Sequence, residues 1–101
     1  MDSNTLLQYA EYCAHRADSY SRKQRKEQIN ARAAWDRYDI FVLFNDLDNA
    51  EKAEREYNAA QDTADKYGDM YDIYTELSEH LEKAGELWQS LIIQGQEDKI
   101  K

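Results

Sequence analysis

The sequence predicts an all-α protein: a three- to four-helix antiparallel bundle or an extended helical hairpin with coiled-coil-like packing. Three observations carry this. Proline is absent and the only glycines are Gly68, Gly85 and Gly95, so little in the chain interrupts a helix. Apolar residues recur at alternating steps of three and four over most of the length, which places them on one helix face. The one strand-like run, Ile40 to Phe44, has no second run to pair with.

Each element follows from its own residues. Asp2, Ser3 and Asn4 are N-cap types ahead of Leu6 and Leu7, and Leu6, Ala10, Cys13, Ala17 and Tyr20 form the face of a helix over about 4–24. The polar stretch Ser21 to Gln28 has no apolar anchor and no helix breaker; it reads as a loop or as helix continuing through. A second helix covers about 28–46. Trp35, Tyr38, Ile40, Phe41, Val42, Leu43, Phe44 and Leu47 are apolar nearly all round it, the mark of a central helix or one buried between subunits. Asp46 and Asp48 are cap candidates for the third, and Asp48 with Glu51 has capping-box spacing. Ala50, Ala53, Tyr57, Ala60, Ala64 and Tyr67 follow at three-four spacing, a seam of mainly small residues. Gly68 reads as a helix end and Asp69 as the next cap, although a lone glycine also permits one rod of about 46 residues, roughly 70 Å long. The last helix carries a heptad seam at Met70, Tyr74, Leu77, Leu81, Ala84, Trp88 and Leu91, with Gly85 one step off it. Gly95 is its expected end. The domain organisation is thus a single helical domain over 1–95 and a polar tail at 96–101.

Charge is unevenly distributed. Residues 46–86 hold thirteen Asp or Glu against four Lys or Arg, whereas 1–45 hold six against seven. The total of −8 argues against general binding to nucleic acid or anionic membrane. Asp62, Asp65, Asp69, Asp72, Glu76, Glu79 and Glu86 recur at helical spacing and form a stripe about 36 Å long if the helix is continuous. Any soluble helix places charge opposite its seam, and Asp48–Lys52, Glu51–Arg55, Asp62–Lys66 and Glu79–Lys83 have ordinary i,i+4 spacing. The excess of acids points beyond a solvated face, to a partner with a basic, nucleic-acid-binding surface. Arg22, Lys23, Arg25 and Lys26 form a compact basic patch, suited to an acidic partner, to the acidic half of the same chain or a second copy, or to solvent.

Catalytic and metal chemistry find little support. Glu11 with His15, and Glu76 with His80, are i,i+4 carboxylate–imidazole pairs that would make a metal site only if their helices met. The Glu-x-x-His motif of di-metal bundles is absent, as are the glycine and ligand spacing of a calcium loop around Asp46 to Glu51. There is no nucleophile elbow and no phosphate-cradling loop. Cys13, the single cysteine, lies on the first seam as a small core residue. The expectation is therefore no enzyme, no cofactor and no metal. Without a hydrophobic leader or a spanning run, a soluble cytoplasmic protein is expected.

In general character (small, acidic, helical, free of motifs) the chain resembles the accessory inhibitors of phages and mobile elements, including DNA mimics and anti-CRISPR proteins. The likeness is one of composition. It implies a non-enzymatic inhibitor or modulator of a nucleic-acid-handling protein. The competing expectation is a homo-oligomeric coiled-coil or adaptor protein, a homodimer in its simplest form, assembled through the 70–91 seam and the Ile40–Phe44 run.

Overall fold

The computed structural model describes residues 2–100, with side chains through Gly95. The described residues form two long helices, α1 (Ser3–Leu43) and α2 (Leu47–Ile100). The bundle of three to four helices is therefore corrected to two. The breaks expected at 21–28 and at Gly68 do not occur, and no glycine has a positive φ. The helix continues through Gly95 as well; Lys101 lies outside the described residues.

Both ends of α1 are fixed by side chains suited to the task. The Thr5 N–H donates to Asp2 Oδ1 at 2.8 Å, satisfying one orphan donor of the first turn. This backbone hydrogen bond, helped by the Thr5 hydroxyl, holds the Asp2 carboxyl below its ordinary range. At the other end Asn45 takes the left-handed conformation, φ 57°. The Asp46 N–H then reaches the Phe41 carbonyl at 2.8 Å and the Asn45 N–H reaches that of Val42 at 3.0 Å. These are the paired bonds of a Schellman cap. Asp46 also starts α2: its carboxylate accepts from the Asn49 backbone N–H at 3.4 Å and from the Asn49 side-chain amide at 2.7 Å. Asp46, not Asp48, is thus the N-cap, and Asp48 lies inside the first turn. Two adjacent residues close one helix and open the next. Asn45→Val, with a β-branched side chain at positive φ, should cost about 1–2 kcal/mol, whereas Asn45→Gly should be neutral or slightly stabilising; thermal melts of the two variants check this.

Contacts divide the chain into two compact units, Met1–Asp18 with Tyr71–Lys101 (unit 1) and Ser19–Met70 (unit 2). Each pairs a segment of α1 with an antiparallel segment of α2. In unit 1, Ser3 and Leu7 lie by Gly85, Ala10 by Ser78 and Arg16 by Tyr74. In unit 2, Tyr20 meets Tyr67, Gln24 lies at Gly68 and Arg37 bonds Glu56.

The seams are built from small residues. Among the described residues the buried apolar ones are Ala10, Cys13, Ala17, Ala31, Ala34, Ala50, Ala53 and Ala64, and no large side chain is fully buried. In heptad terms, Ala10, Ala17 and Ala31 occupy a and Cys13 and Ala34 occupy d on α1. On α2, Ala50 and Ala64 occupy a and Ala53 occupies d. This register explains why α1 does not break at 21–28: Gln24 falls at a and Glu27 at d, and both are partly covered. In unit 2 the tyrosines supply bulk that the alanines lack. Trp35 stacks on Tyr38 and tilts against Tyr57, each at 5.0 Å between ring centres, a spacing typical of favourable aromatic pairs.

The α2 register carries straight into unit 1, where Tyr71, Ser78 and Gly85 fall at a and Tyr74, Leu81 and Trp88 at d. Own-chain packing therefore runs through Tyr74, Ser78, Leu81 and Gly85. Gly85 is buried, and a Cβ there would lie 3.1 Å from Leu7. Ser78 Oγ donates to the Ala10 carbonyl at 2.8 Å. Of the expected seam residues, Tyr74 and Leu81 are partly covered at d, whereas Trp88, also at d, is exposed. Met70, Leu77, Ala84 and Leu91 instead fall at g, on its flank. Hydrophobicity alone favoured Leu77 and Leu91, but the close approach of α1 favours Ser78 and Gly85.

Candidate functional site

The acidic residues sit at b and f, the positions farthest from the seam. In unit 2, Asp62, Asp65 and Asp69 are exposed; in unit 1, Asp72, Glu76, Glu79 and Glu86 are exposed. The four in unit 1 span about 21 Å along the α2 axis at 1.5 Å per residue. Counter-ions are scarce. Glu76 faces His80 at 3.6 Å, a pair that is ionic only when the imidazole is protonated. Among the described residues, Asp62, Asp65, Asp69, Asp72, Glu79 and Glu86 make no ion pair within 4.0 Å. Of the i,i+4 pairs expected from spacing, Glu51–Arg55 closes, at 3.4 Å. Asp62–Lys66 and Glu79–Lys83 remain open.

Arg22, Lys23, Arg25 and Lys26 lie on helix rather than loop, exposed on α1 in unit 2. Lys23 leans over two rings, its Nζ 5.2 Å from the centre of Tyr20 and 6.0 Å from that of Tyr67. This cation–π arrangement anchors it beside the seam. Arg22 and Arg25 fall at f and b of α1. Asp62, Asp65 and Asp69 occupy the equivalent outward positions of α2, so within unit 2 the two sets of charges point away from each other.

The Ile40–Phe44 run is not central. It lies at the end of α1, where Leu43 is 80% and Phe44 76% exposed, and Ile40, Val42 and Leu47 are also open. Phe41 alone in the run is partly covered, beside a groove of about 150 Å³ lined by Arg37, Asn49, Lys52, Ala53 and Glu56. The sequence held a signal for this placement: an apolar run followed at once by Asn45–Asp46 is a helix ending in a turn, not a helix interior.

The structure does not assemble the metal site. Glu11–His15 at 3.8 Å and Glu76–His80 at 3.6 Å are separate exposed pairs on different helices. Among the described residues no group of His, Cys, Asp or Glu is placed to hold a metal. Cys13 is buried in the unit 1 seam. Two further hollows among the described residues are shallow. One of about 330 Å³ is lined by Thr5, Gln8, Tyr9 and Tyr12, all on α1. Another of about 250 Å³ lies by Leu7, Ala14, Ser78 and Glu82. Among the described residues no helix is long and apolar enough to cross a membrane. No protein-family model matches the chain, and comparisons with curated proteins and with solved structures found no match.

Proposed function

We propose that the protein is a non-enzymatic binding protein that engages a partner with a basic, nucleic-acid-binding surface through the acidic outer face of α2. In this reading it acts as an inhibitor or modulator in the manner of DNA mimics and anti-CRISPR proteins, an accessory factor of a phage or mobile element working in the cytoplasm. The observation that supports it is the row of exposed carboxylates without counter-ions. Like charges along one helix face repel one another and destabilise the helix, and the i,i+4 lysines that would relieve Asp62 and Glu79 stand open. A partner supplying Lys and Arg removes that repulsion on binding and is drawn in at long range. The solvent-exposed rings and aliphatic groups of Phe44, Leu43 and Leu47 add an apolar anchor of the kind that dominates interface energetics.

The test combines charge reversal with competition. The tagged protein, incubated with host lysate at low salt, should retain a nucleic-acid-handling protein that double-stranded DNA elutes. Reversing Asp69, Asp72, Glu76 and Glu79 to Lys should abolish that retention while the helical circular dichroism signal persists. Retention unchanged by the reversal, or insensitive to salt, would sink the electrostatic reading.

A further inference from the structure

We infer that unit 1 carries a homodimer interface, a face of α2 that a second copy of this chain covers in antiparallel orientation. Its core is the row Ile73, Leu77, His80, Ala84, Leu87 and Leu91, at steps of four, three, four, three and four. These are the c and g positions, beside the unit 1 seam rather than in it. Ile73, Leu77, Leu87 and Leu91 are between 43% and 62% exposed, and Trp88 and Ile92 at the border of the row are each 44% exposed.

Three features point to an occupant, and to a second copy as that occupant. The first is the distribution of hydrophobic bulk. Among its described residues unit 1 fully buries only Ala10, Cys13 and Ala17 of its apolar side chains; Leu6, Leu7, Tyr74 and Leu81 are partly covered, and most of its other large ones lie exposed. A small helical unit so built is short of buried apolar area, and association supplies the deficit in every molecule when the partner is the chain itself. The same register positions on α2 in unit 2 are Lys52, Glu56, Ala59, Thr63, Lys66 and, at the boundary, the partly covered Met70, a row otherwise suited to water. The apolar character is thus specific to unit 1.

The second feature is area. In an antiparallel pair the g positions of both helices flank the same side of the seam, as the Arg37–Glu56 contact at 3.0 Å demonstrates in unit 2. Tyr9 at g and Tyr12 at c, both more than half exposed, therefore extend the unit 1 face onto α1 around the hollow of about 330 Å³. Each of these large side chains leaves on the order of 100 Å² open, half of what such groups bury when covered. Together they offer roughly 800 Å² per chain, the share each partner contributes to a standard interface. That is more than the few hundred Å² a monomer commonly leaves in one patch.

The third feature is symmetry and charge. The spacing reads the same from either end. An antiparallel copy sets Ile73 opposite Leu91 of the second chain, Leu77 opposite Leu87, and His80 opposite Ala84. Such reciprocal pairing is what a two-fold interface requires. The row beyond it is acidic (Asp72, Glu76, Glu79 and Glu86), which disfavours an anionic lipid surface, since interfacial helices flank their apolar face with Lys and Arg.

Sedimentation equilibrium of the full chain from about 1 μM to about 1 mM should show a dimer, and its melting temperature should rise with protein concentration. The Leu77→Glu/Leu87→Glu variant should raise the dimer dissociation constant at least about 100-fold, because it sets like charges in the interface, with the helical signal retained. Leu43→Glu/Phe44→Glu should leave the dimer intact. Added salt should strengthen it by screening the acidic rows, whereas binding to a basic partner weakens with salt; the two readings thus fail separately. A monomer at every concentration with a constant melting temperature overturns the inference. So does a dimer that survives the Leu77/Leu87 variant, or one lost only in the Leu43/Phe44 variant. Should the Leu77/Leu87 variant unfold, the concentration dependence of the wild-type melt decides the matter.

Discussion

Ala64→Leu is expected to destabilise the protein by about 2–3 kcal/mol, and Ala31→Leu by a similar amount. Ala64 is 1% and Ala31 2% exposed, each at an a position of the unit 2 seam. A core of leucines has room to trade volume between neighbours. A seam of alanines does not, because the backbones already stand close and the only accommodation is to push the helices apart. Each alanine methyl contributes little burial, about 0.8 kcal/mol by the usual scale, so separation forfeits the contacts of several alanines together. Against a total stability of 5–15 kcal/mol for typical domains, the loss is large. It should lower the melting temperature by roughly 10–20 °C in a domain of this size. Urea titration checks it: the midpoint should fall with little change in slope. Ala59→Leu and Ala33→Leu, at exposed positions of the same helices, should remain within about 0.5 kcal/mol of wild type. If Ala64→Leu stabilises the chain, the seam is not closed by small residues and the register is wrong.

The seam in unit 2 was legible in the sequence because Ala50, Ala53, Tyr57, Ala60, Ala64 and Tyr67 contain no rival row. In unit 1 there were two. Leu77, Ala84 and Leu91 form the more hydrophobic row, and Tyr71, Ser78 and Gly85 the smaller one. Periodicity weighs residues by hydrophobicity, yet a close helix pair selects by size. Ser78 qualifies because its hydroxyl is satisfied by the Ala10 carbonyl, and Gly85 because Leu7 fills the space a side chain would take. Neither relation is local, so neither shows in a window of sequence. Helix number had the same origin. A polar stretch and a glycine are weak break signals by themselves, and at 21–28 and Gly68 no proline or left-handed residue reinforces them. The one true break falls at Asn45, where the left-handed residue is an asparagine and the cap is shared with the following helix through Asp46. The acidic row was legible from spacing, and its positions at b and f match that reading of an outer face. Its missing counter-ions were not, since i,i+4 spacing permits an ion pair without enforcing one.

Gly68→Pro should cost about 3 kcal/mol or more, while Gly68→Ala should cost nothing or stabilise slightly. The contrast follows from the continuity of α2. If one helix ended at Gly68 and another began, a proline near the junction would be tolerated, and an alanine would suffer in place of a left-handed glycine. In the continuous helix, proline removes the residue 68 N–H and its ring collides with the Ala64 carbonyl. Alanine instead gains about 1 kcal/mol of helix propensity. Its methyl does meet the Gln24 side chain, whose Nε2 would lie 2.5 Å away. That atom is the far end of a flexible chain on α1, however, and a change of rotamer clears it. The glycine is there to seat Gln24, not to end a helix. Combining Gly68→Ala with Gln24→Ala separates the two effects, because the double variant keeps the propensity gain and loses the contact. Helical circular dichroism with urea titration of the single and double variants measures both. A harmless Gly68→Pro beside a damaging Gly68→Ala would show two helices meeting at residue 68, and the heptad register carried from unit 2 into unit 1 would no longer hold.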